Sequence, residues 1–572
     1  MYLLNFQAPH LYELLHKSLD PHLATGFFVL SSLFVLSFIV HYLSEGTSIP
    51  SFVIAIFFGM AARDVLAPVI GSSSVLAEIV GLGATLILFG GGIETPWENF
   101  KRLIVKILSL SFIGLVLTAI LFSFLISFLG HVFNVEVPIT VSILLGAVLA
   151  STDPASIIPI LKQFRFKNRD TRDIIVSESA VTDVTGTLLT VILLSLLSAG
   201  VVFTSVSGGY ASLLSKVTLL FASKQIVFGA IFGVVGWLLL DLLSRFKKQH
   251  DQEFEADAAF FLFVPVVIFT FALIFGGSGY LAAFIAGLLF VLSERLHVTE
   301  KFFNQTIEGF LKPAIFLLLG ALVEPISLLA YAPIGIAAAL AFMFIIRPLS
   351  VLVTLGPFSF FGKNRLGWRE LAFIACVRET GAIPAVLLVT IVASGLTGLD
   401  GLVPIGMWVI LGTLILQPPL TPWVAKFLKV GVPIGDAVGL HINGGTEPFV
   451  VLGSRGESYV RRLPVVVEWA EVHGIRKVVL LHCLEDKFTE ELAAEIGIQA
   501  EGEFAKINRE RDLRRKLPIK FSYVSRKGFL QENIDELAKE NKNATVIFAG
   551  KRVLDFRLSE IKQLSVPLYF ID

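Results

Sequence analysis

The chain has 572 residues, of which 55% are hydrophobic and 16% are charged, and its mean hydropathy is +0.79. Soluble domains carry about 25% charged residues, so the composition excludes an ordinary soluble protein and predicts a polytopic membrane protein. The formal net charge is zero, and we expect membrane lipid, but no nucleic acid, among its partners. The two cysteines, Cys376 and Cys483, indicate neither a disulfide framework nor a resident metal site.

Apolar segments long enough to cross a bilayer recur from residue 24 to residue 428 and then stop. A spanning helix needs about 20 such residues, and about thirteen spans are predicted on this basis. They are expected at 24–43, 49–68, 75–93, 103–130, 138–161, 172–199, 224–244, 258–276, 279–293, 309–325, 331–357, 370–392 and 401–428. Residues 200–223 are apolar but interrupted by Ser and Gly, and we expect a loop or an interfacial segment there.

The basic residues predict the orientation of these spans. Lysine and arginine are concentrated in alternate loops, such as 162–172 and 363–369, and are sparse in the others. Cytoplasmic loops are enriched in these residues, so the rich loops are expected inside the cell. The protein is therefore predicted to lie in the cell membrane with its N-terminus outside and its C-terminal region in the cytoplasm.

A short internal similarity suggests a repeat. The stretch "LFGGGIE" (88–94) recurs as "LLGALVE" (318–324), and Pro154 falls on Pro384 at the same offset of 230 residues. Residues 24–199 would then repeat as 258–428, and the seventh span would invert the second copy. Inverted repeats are typical of secondary transporters, whose sites form where broken helices meet. Short matches in apolar sequence also arise by chance, so the motif alone leaves both interpretations open.

The fifth span contains a helix breaker beside an acid, in the stretch "ASTDPAS". Pro154 should break the helix near residues 151–154, and a break at membrane depth is tolerated where it is buried or lines a cavity. Its exposed carbonyls, with the side chains of Thr152 and Asp153, would supply oxygen ligands for a hard monovalent cation. "TGAIP" (380–384) would break the twelfth span opposite it. The alternative is a simple proline kink with Asp153 as a helix cap.

The sixth span, "DIIVSESAVTDVTG", carries two acids inside the predicted membrane region, Glu178 and Asp183. Intramembrane acids are costly and usually functional. Residues four apart share a helix face, which pairs Ser179 with Asp183 and Glu178 with Thr182. At 3.6 residues per turn the two acids lie about 140° apart, so they are expected to face different neighbours.

These positions predict separate roles for the two carboxylates. Asp183, with oxygens from Ser179 and Thr152, would bind the cation. Glu178 would need a permanent counter-charge, and Arg347 in "FMFIIRPLSVL" is an intramembrane arginine that could supply it. We therefore predict a Glu178–Arg347 ion pair that holds the sixth span in place.

Four motifs in this order resemble those of cation/proton antiporters: "TDP", "ES-x-x-[polar]-D", "RPLSV" and "VRETGAIP". The similarity covers residues 24–428 and is greatest to the branch of NhaP-type bacterial exchangers and animal sodium/proton exchangers. It implies the NhaA-type fold, with two crossing discontinuous helices, a separate dimerisation domain and a homodimer. It also implies that Asp183 is the essential ion- and proton-binding residue, supported by Thr152, Asp153 and Ser179, and that Glu178 and Arg347 form the family's structural ion pair.

The sequence departs from that family in three places. Thr182 stands before the essential aspartate, where this branch usually has Asn and the electrogenic branch has Asp. A single carboxylate there suggests electroneutral exchange of one proton per cation. Gly90 replaces a frequent acid, which leaves the choice between sodium and potassium open. Arg378 and Glu379 stand in "RETGA" where "LRGA" is common, and we expect them to support the helix break together with Pro154 and Pro384.

The resulting functional hypothesis is a secondary antiporter that is not an enzyme and needs no cofactor. A proton and a monovalent cation, with Na⁺ favoured over K⁺, would compete for Asp183, with no ATP consumed. A K⁺/H⁺ antiporter regulated by the C-terminal region is the first alternative. An ion channel or an anion carrier on the same fold is the alternative from another class, and the paired acids Asp153 and Asp183 argue against an anion carrier.

After a linker at 429–447, residues 448–572 alternate strand-like and helical patterns. This alternation predicts a small cytoplasmic α/β domain with a parallel sheet, which loosely resembles universal stress proteins. No G-x-G-x-x-G or Walker A motif follows its first strand, so a Rossmann-type RCK nucleotide site is not supported. "GSRGES" (453–458) could bind an anion at a helix start or be an ordinary turn. The domain's ligand, an unknown nucleotide or anion, stays open, and its expected role is regulation of transport.

Overall fold

The structure is a computed structural model, and it falls into two compact units, Met1–Gly431 and Val432–Asp572. It describes residues 21–45, 50–95, 97–152, 161, 164–166, 168–250, 257–290, 303–304, 306–360, 365–433, 449–454, 459–484, 500–509, 511, 518–527, 544–550 and 568–571. Each unit is described separately below.

The first unit is built almost wholly of helices, because a helix satisfies its own backbone hydrogen bonds where lipid offers none. Its α-helices are Pro21–Glu45, Ser51–Ala61, Arg63–Ile70, Ser73–Glu94, Trp97–Leu108, Leu115–Phe133, Ile139–Leu149, Arg169–Ser198, Val206–Ala211, Lys216–His250, Asp257–Ile274, Gly279–Leu289, Lys312–Ala321, Pro325–Ala330, Ala332–Ala341, Arg347–Leu355, Pro357–Phe360, Trp368–Cys376, Ala382–Ala393 and Leu402–Phe427. Wider π-helical turns occupy Ser109–Gly114, Ile307–Leu311 and Phe342–Ile346, and a 3₁₀ turn occupies Ser212–Leu214. A short strand lies at Phe164–Phe166, and another, Gly431–Pro433, begins at the last residue of the first unit.

Within the described residues, seven helices are long and apolar enough to cross a membrane, or eight if the bent pair Ser51–Ala61 and Arg63–Ile70 counts as one span. Shorter apolar helices lie at Ile139–Leu149, Ala259–Ile274, Gly279–Leu289, Gly309–Ala321 and Ala382–Ala393. Every predicted span overlaps one of these helices. Two of the short helices border the breaks that the prolines predict, which is why they fall below spanning length.

Two span predictions need correction. The second span, predicted as one helix at 49–68, bends by 87° between its two helices, which meet at Ala62. Residues 200–223, predicted as a loop or interfacial segment, contain the helix Val206–Ala211, and the following helix begins at Lys216. The reason is a local cap, because the Ser215 side chain accepts a hydrogen bond from the backbone N–H of Thr218.

Helices Ser51–Ala61 and Lys312–Ala321 touch backbone to backbone. A Cβ atom on Gly59 would lie 2.1 Å from the Leu317 carbonyl oxygen, and one on Gly320 would lie 2.2 Å from the carbonyl oxygen of Ile56. Small residues permit such close approach between helices in lipid. These two glycines therefore set the distance between the second and tenth predicted spans.

A second pair of helices repeats this arrangement. Gly92 lies on the helix Ser73–Glu94, and a Cβ on it would lie 2.4 Å from the carbonyl oxygen of Phe284. Gly287 lies on the facing helix Gly279–Leu289, and a Cβ on it would lie 2.3 Å from the carbonyl oxygen of Phe89. The third and ninth predicted spans are thus in backbone contact at a glycine on each helix, as the second and tenth predicted spans are. That reciprocity is what a duplication offset by about 230 residues would produce.

Gly320→Ala is expected to lower the free energy of unfolding by about 1–3 kcal/mol, because its methyl group would overlap a carbonyl oxygen that cannot move away. Thermal unfolding in detergent measures this change. Gly91→Ala is the matched control, since nothing lies within 4 Å of a Cβ there. Equal melting temperatures for the two variants would contradict the proposed contact.

The outer face of the first unit is apolar. Along the helix Lys216–His250, for example, Leu220, Val227 and Ile231 are exposed. An apolar surface of this extent needs a nonaqueous neighbour. The interior, by contrast, contains buried charged side chains, described in the next subsection.

The second unit contains a five-stranded sheet in which every pairing is parallel. The strands in spatial order are Lys520–Lys527, Lys477–Leu484, Phe449–Ser454, Ala544–Gly550 and Leu568–Ile571. The helix Tyr459–Val472 packs on the sheet through Leu463, Val466 and Ala470, and a further helix covers residues 500–509. The chain order of the strands reverses direction between Phe449–Ser454 and Ala544–Gly550.

Candidate functional site

The first interruption follows the helix Ile139–Leu149, which we call the first half-helix. Ser151 and Thr152 continue the chain outside any helix, and both are buried. The predicted residues Asp153 and Pro154 lie outside the described residues. The described part of the fifth span therefore ends in buried, nonhelical backbone where the sequence predicts a break.

The second interruption is the break segment Val377–Gly381, between the helices Trp368–Cys376 and Ala382–Ala393. It lies just before Pro384, which occupies the first turn of the second of these helices. A proline is tolerated there because the N–H groups of a first turn have no partner within the helix. The break predicted at 380–384 is present but begins earlier, at Val377.

Side chains from the helix Leu402–Phe427 hold the break segment. The Thr380 backbone N–H donates to Thr413 Oγ1 at 3.2 Å, and the hydroxyl oxygens of the two threonines are 2.7 Å apart. Gln417 Nε2 donates to the carbonyl oxygen of Cys376, the last residue of its helix. Backbone groups that a broken helix leaves unpaired are thus satisfied by the neighbouring helix.

Arg378 joins the two interruptions. Its Nη2 donates to the carbonyl oxygen of Ala150, at the C-terminal end of the first half-helix. Its guanidinium lies over the ring of Phe342, 5.5 Å from the centroid, and the residue is 4% exposed. A cation at a helix C-terminus interacts favourably with the helix dipole, so Arg378 caps the first half-helix.

Asp183 lies midway along the helix Arg169–Ser198 and is 8% exposed. Its Oδ1 accepts a hydrogen bond of 2.6 Å from the hydroxyl of Ser151. Gly186 permits this approach, because a Cβ there would lie 2.9 Å from the Ser151 Cβ. The structure therefore positions the carboxylate directly against the first interruption.

The hydroxyl groups of Ser179 and Thr182, both predicted near Asp183, contact Thr152. Thr152 Oγ1 is 2.8 Å from Thr182 Oγ1, and the Thr152 carbonyl oxygen accepts a 2.5 Å hydrogen bond from Ser179. Ser151, which was not among the predicted site residues, donates to Asp183. The carbonyl oxygens of Ala150 and Thr152, expected to be exposed at the break, accept hydrogen bonds from the side chains of Arg378 and Ser179.

The structure brings Glu178 and Arg347 together. Nη1 and Nη2 of the arginine donate to the two carboxylate oxygens at 3.2 and 3.1 Å, and the side chains are 1% and 3% exposed for Arg347 and Glu178. Two π-helical turns flank the pair, since Phe342–Ile346 directly precedes Arg347 and Ser111 of the other turn donates to the Glu178 carbonyl oxygen. Such turns are frequent at functional sites.

The sixth span between Ser177 and Thr190, the helix Arg347–Leu355 and the break segment contribute five buried charged side chains, which are Glu178, Asp183, Arg347, Arg378 and Glu379. Glu178 is paired with Arg347. The other three lie in or against the two interruptions.

Sequence reasoning missed three functional candidates at the site. Ser151 contacts Asp183, and Thr413 and Gln417 hold the break segment. A signal existed for the last two, because they are polar residues four apart in an otherwise apolar span, where polar side chains commonly bond across helices. No comparable pattern distinguishes Ser151 from the other serines of the chain.

Comparison with known proteins identifies a match over residues 29–427 to the family model described as sodium/hydrogen exchanger, transmembrane. The "K(+)/H(+) antiporter NhaP" of Alkalimonas amylolytica is 26% identical over 423 residues, which cover 71% of this chain and 67% of that protein. The "Na(+)/H(+) antiporter 1" of Methanocaldococcus jannaschii is 27% identical over 372 residues, covering 62% of this chain and 81% of that protein.

A solved structure shares the fold. The sodium proton antiporter MjNhaP1 of Methanocaldococcus jannaschii, determined at pH 8, superposes with a TM-score of 0.53 and 24% identity. The superposition covers 69% of this chain and 99% of that one. The first unit therefore has the helical membrane fold of that structure.

Proposed function

The chain belongs to the sodium/hydrogen exchanger family of cation/proton antiporters, and on this premise we propose that Asp183 is the site where cation and proton compete. The protein is a multi-pass membrane transporter and not an enzyme. The observation that carries the proposal is the position of Asp183, buried and hydrogen-bonded to Ser151 at an interrupted helix. Helices interrupted at membrane depth form the ion sites of many secondary transporters.

Competition for one carboxylate couples the two ions. Burial disfavours an ionised carboxylate, so the carrier crosses between its two orientations readily only when a proton or a cation neutralises Asp183. On either side of the membrane, the carrier can therefore bind a proton only after it has released a cation there, and the reverse. No ATP or cofactor is needed, and alternating access follows from movement of one helical domain against the other.

The remaining site residues have supporting roles in this proposal. Thr152, Ser179 and Thr182 provide hydroxyl oxygens beside Asp183, and Asp153 is a further ligand for Na⁺ or K⁺. Pro154 and Pro384 interrupt the helices. A second set, Arg378, Glu379, Glu178 and Arg347, holds the interrupted region in place.

We propose sodium as the favoured cation and potassium as the alternative. Relatives of similar identity carry both names, "K(+)/H(+) antiporter NhaP" and "Na(+)/H(+) antiporter 1". A hard monovalent cation suits an all-oxygen site in either case. The single carboxylate at the adjacent positions Thr182 and Asp183 supports electroneutral exchange of one proton for one cation.

The ion and the stoichiometry can be tested in everted membrane vesicles with an imposed pH gradient and a pH-sensitive dye. Adding Na⁺ or K⁺ is expected to dequench the dye, whereas choline is not, and clamping the membrane potential should not change the rate. Comparing Na⁺, K⁺ and Li⁺ identifies the preferred cation. Failure of every alkali cation to dequench the dye would contradict exchange, and an uncoupled current would favour the channel alternative.

Topology and assembly complete the proposal. The protein would have thirteen spans in two inverted repeats, 24–199 and 258–428, in the plasma membrane. Its N-terminus would lie outside, and it would form a homodimer. The concentration of Lys and Arg in alternate loops supports this orientation, and the reciprocal glycine contacts support the repeat.

We further propose that residues 448–572 form a cytoplasmic α/β domain that regulates transport. The parallel strand order supports this, because ligands of such sheets bind at the carboxyl ends of the strands where the order reverses. Here that point lies between Phe449–Ser454 and Ala544–Gly550, which would be the position for a nucleotide or another anion.

A further inference from the structure

One buried hydroxyl group of the sixth span, the helix Arg169–Ser198, is unpaired. Thr190 is 2% exposed, and its Oγ1 has no hydrogen-bond partner among the residues that the structure describes. Threonine in a helix commonly donates its hydroxyl to a carbonyl of the preceding turn, as Thr185 and Thr187 of the same helix do. A buried hydroxyl without a partner is destabilising, and valine would fill nearly the same space without that cost. Neither helix formation nor packing therefore explains a threonine at this position.

Thr190 lies on the same face of the helix as Asp183. The two residues are seven apart in sequence, which places them about 20° apart around the helix axis and about 10 Å apart along it. Gly186 and Thr187 lie on that face between them. Gly186 adjoins Ser151 of the first interruption, and the hydroxyl of Thr187 donates to the carbonyl oxygen of Asp183. From the carboxylate to Thr190, this face therefore presents small and hydroxyl-bearing side chains.

The outer side of the site is closed in this conformation. In the proposed topology the sixth span runs outward from Asp183 to Thr190, and Ala382–Ala393 is the outer half of the twelfth span. That half-helix packs against the sixth span and against the helices Ser73–Glu94 and Lys312–Ala321, and nearly all of its residues are buried. Thr190 is thus enclosed by protein and has no access to the outer surface.

We propose that Thr190 is an ion ligand on the outer path, the route between Asp183 and the outer surface. In alternating access, the cation reaches the carboxylate from outside only after this side has opened. The Thr190 hydroxyl oxygen then replaces one water molecule of the ion's hydration shell, two helical turns from Asp183. A neutral oxygen suits this step, because it attracts the ion less strongly than a second carboxylate would and does not retain it. The inference depends on the proposed exchange at Asp183 and on the proposed orientation.

The test measures the apparent KM for Na⁺ and for K⁺ at each face of the full-length protein. Right-side-out vesicles expose the outer face to the added cation, and everted vesicles expose the cytoplasmic face. Thr190→Val should raise the apparent KM about fivefold at the outer face, the usual effect of one lost hydrogen-bonding group, and change it by less than about twofold at the cytoplasmic face. Thr190→Ser keeps the hydroxyl and should match wild type at both faces.

Thr270→Val is the matched control. Thr270 lies near the end of the helix Asp257–Ile274, in the outer half of the eighth span, and its hydroxyl donates to the carbonyl oxygen of Val266 at 2.9 Å. Removing this hydroxyl should leave the apparent KM unchanged at both faces. Thermal unfolding in detergent gives a second measurement, because Thr190→Val removes an unpaired buried group and should melt at or above the temperature of wild type.

An unchanged apparent KM at the outer face overturns the proposal, and so does an equal rise at both faces, because the outer path is used from one side only. A purely structural role predicts a lower melting temperature for Thr190→Val and no difference between the faces. If Thr190→Val does not fold, Thr190→Ala, which also lacks the hydroxyl, takes its place beside Thr190→Ser. Absence of exchange by the wild-type protein refutes the proposed function and the inference together, whereas an unchanged outer KM in an active protein refutes the inference alone.

Discussion

Asp183→Asn is expected to abolish cation/proton exchange while leaving the protein folded. Asparagine keeps an oxygen that can accept the hydrogen bond from Ser151, but it neither binds a proton at physiological pH nor offers a negative charge to a cation. Both ligands of the exchange are thereby lost at once. The measurement is cation-dependent dye dequenching in everted vesicles, where the rate should fall to that of vesicles without the protein.

Asp400→Asn provides the control, because Asp400 is an exposed aspartate in the loop before the helix Leu402–Phe427. It should leave exchange unchanged. Thermal unfolding of the Asp183→Asn protein should occur within a few degrees of wild type, which would separate loss of chemistry from loss of fold. Exchange by a folded Asp183→Asn protein at even a tenth of the wild-type rate would contradict the assignment.

Glu178→Ala is expected to lower the free energy of unfolding by about 3–5 kcal/mol, because it leaves the buried guanidinium of Arg347 without a counter-charge. Arg347 is 1% exposed and donates both of its terminal nitrogens to Glu178. The expected loss appears as a lower melting temperature in detergent and as reduced expression. Transport should fall with the amount of folded protein.

A surface ion pair of the same length provides the comparison. Arg63 and Glu324 are 3.1 Å apart, as are Arg347 and Glu178, but their side chains are 37% and 65% exposed. Glu324→Ala should therefore cost about 0–1 kcal/mol. The double variant Glu178→Gln with Arg347→Met should recover part of the stability lost in Glu178→Ala, since no unpaired charge is then buried. Equal losses in Glu178→Ala and Glu324→Ala would contradict a structural role for the buried pair.

The approximate positions of the spans and of the charged residues were predictable from the sequence. A run of apolar residues can cross lipid only as a helix, so the periodicity and length of each run locate its helix to within a few residues. Intramembrane acids are similarly conspicuous. Helical geometry alone separated Glu178 from Asp183, and in the structure these two residues do contact different neighbours, Arg347 and Ser151.

Local bends and caps were less predictable. The 87° bend at Ala62 has no proline or glycine within two residues to indicate it in the sequence. The start of the helix Lys216–His250 depends on the Ser215 cap, and serine is too common to mark a boundary by itself. The bend and the helix start are local features, and the pattern of apolar residues does not indicate either of them.

From the sequence one can predict a helical membrane protein, the positions of its spans, and the ionisable side chains that lie inside them. The hydrogen-bond partners of those side chains depend on the tertiary structure. Arg378 bonds to a carbonyl 228 positions away in the chain and Gln417 to one 41 positions away. Hydropathy is a property of each residue and its near neighbours, whereas a hydrogen bond depends on how helices pack, and packing is set by the whole set of contacts at once.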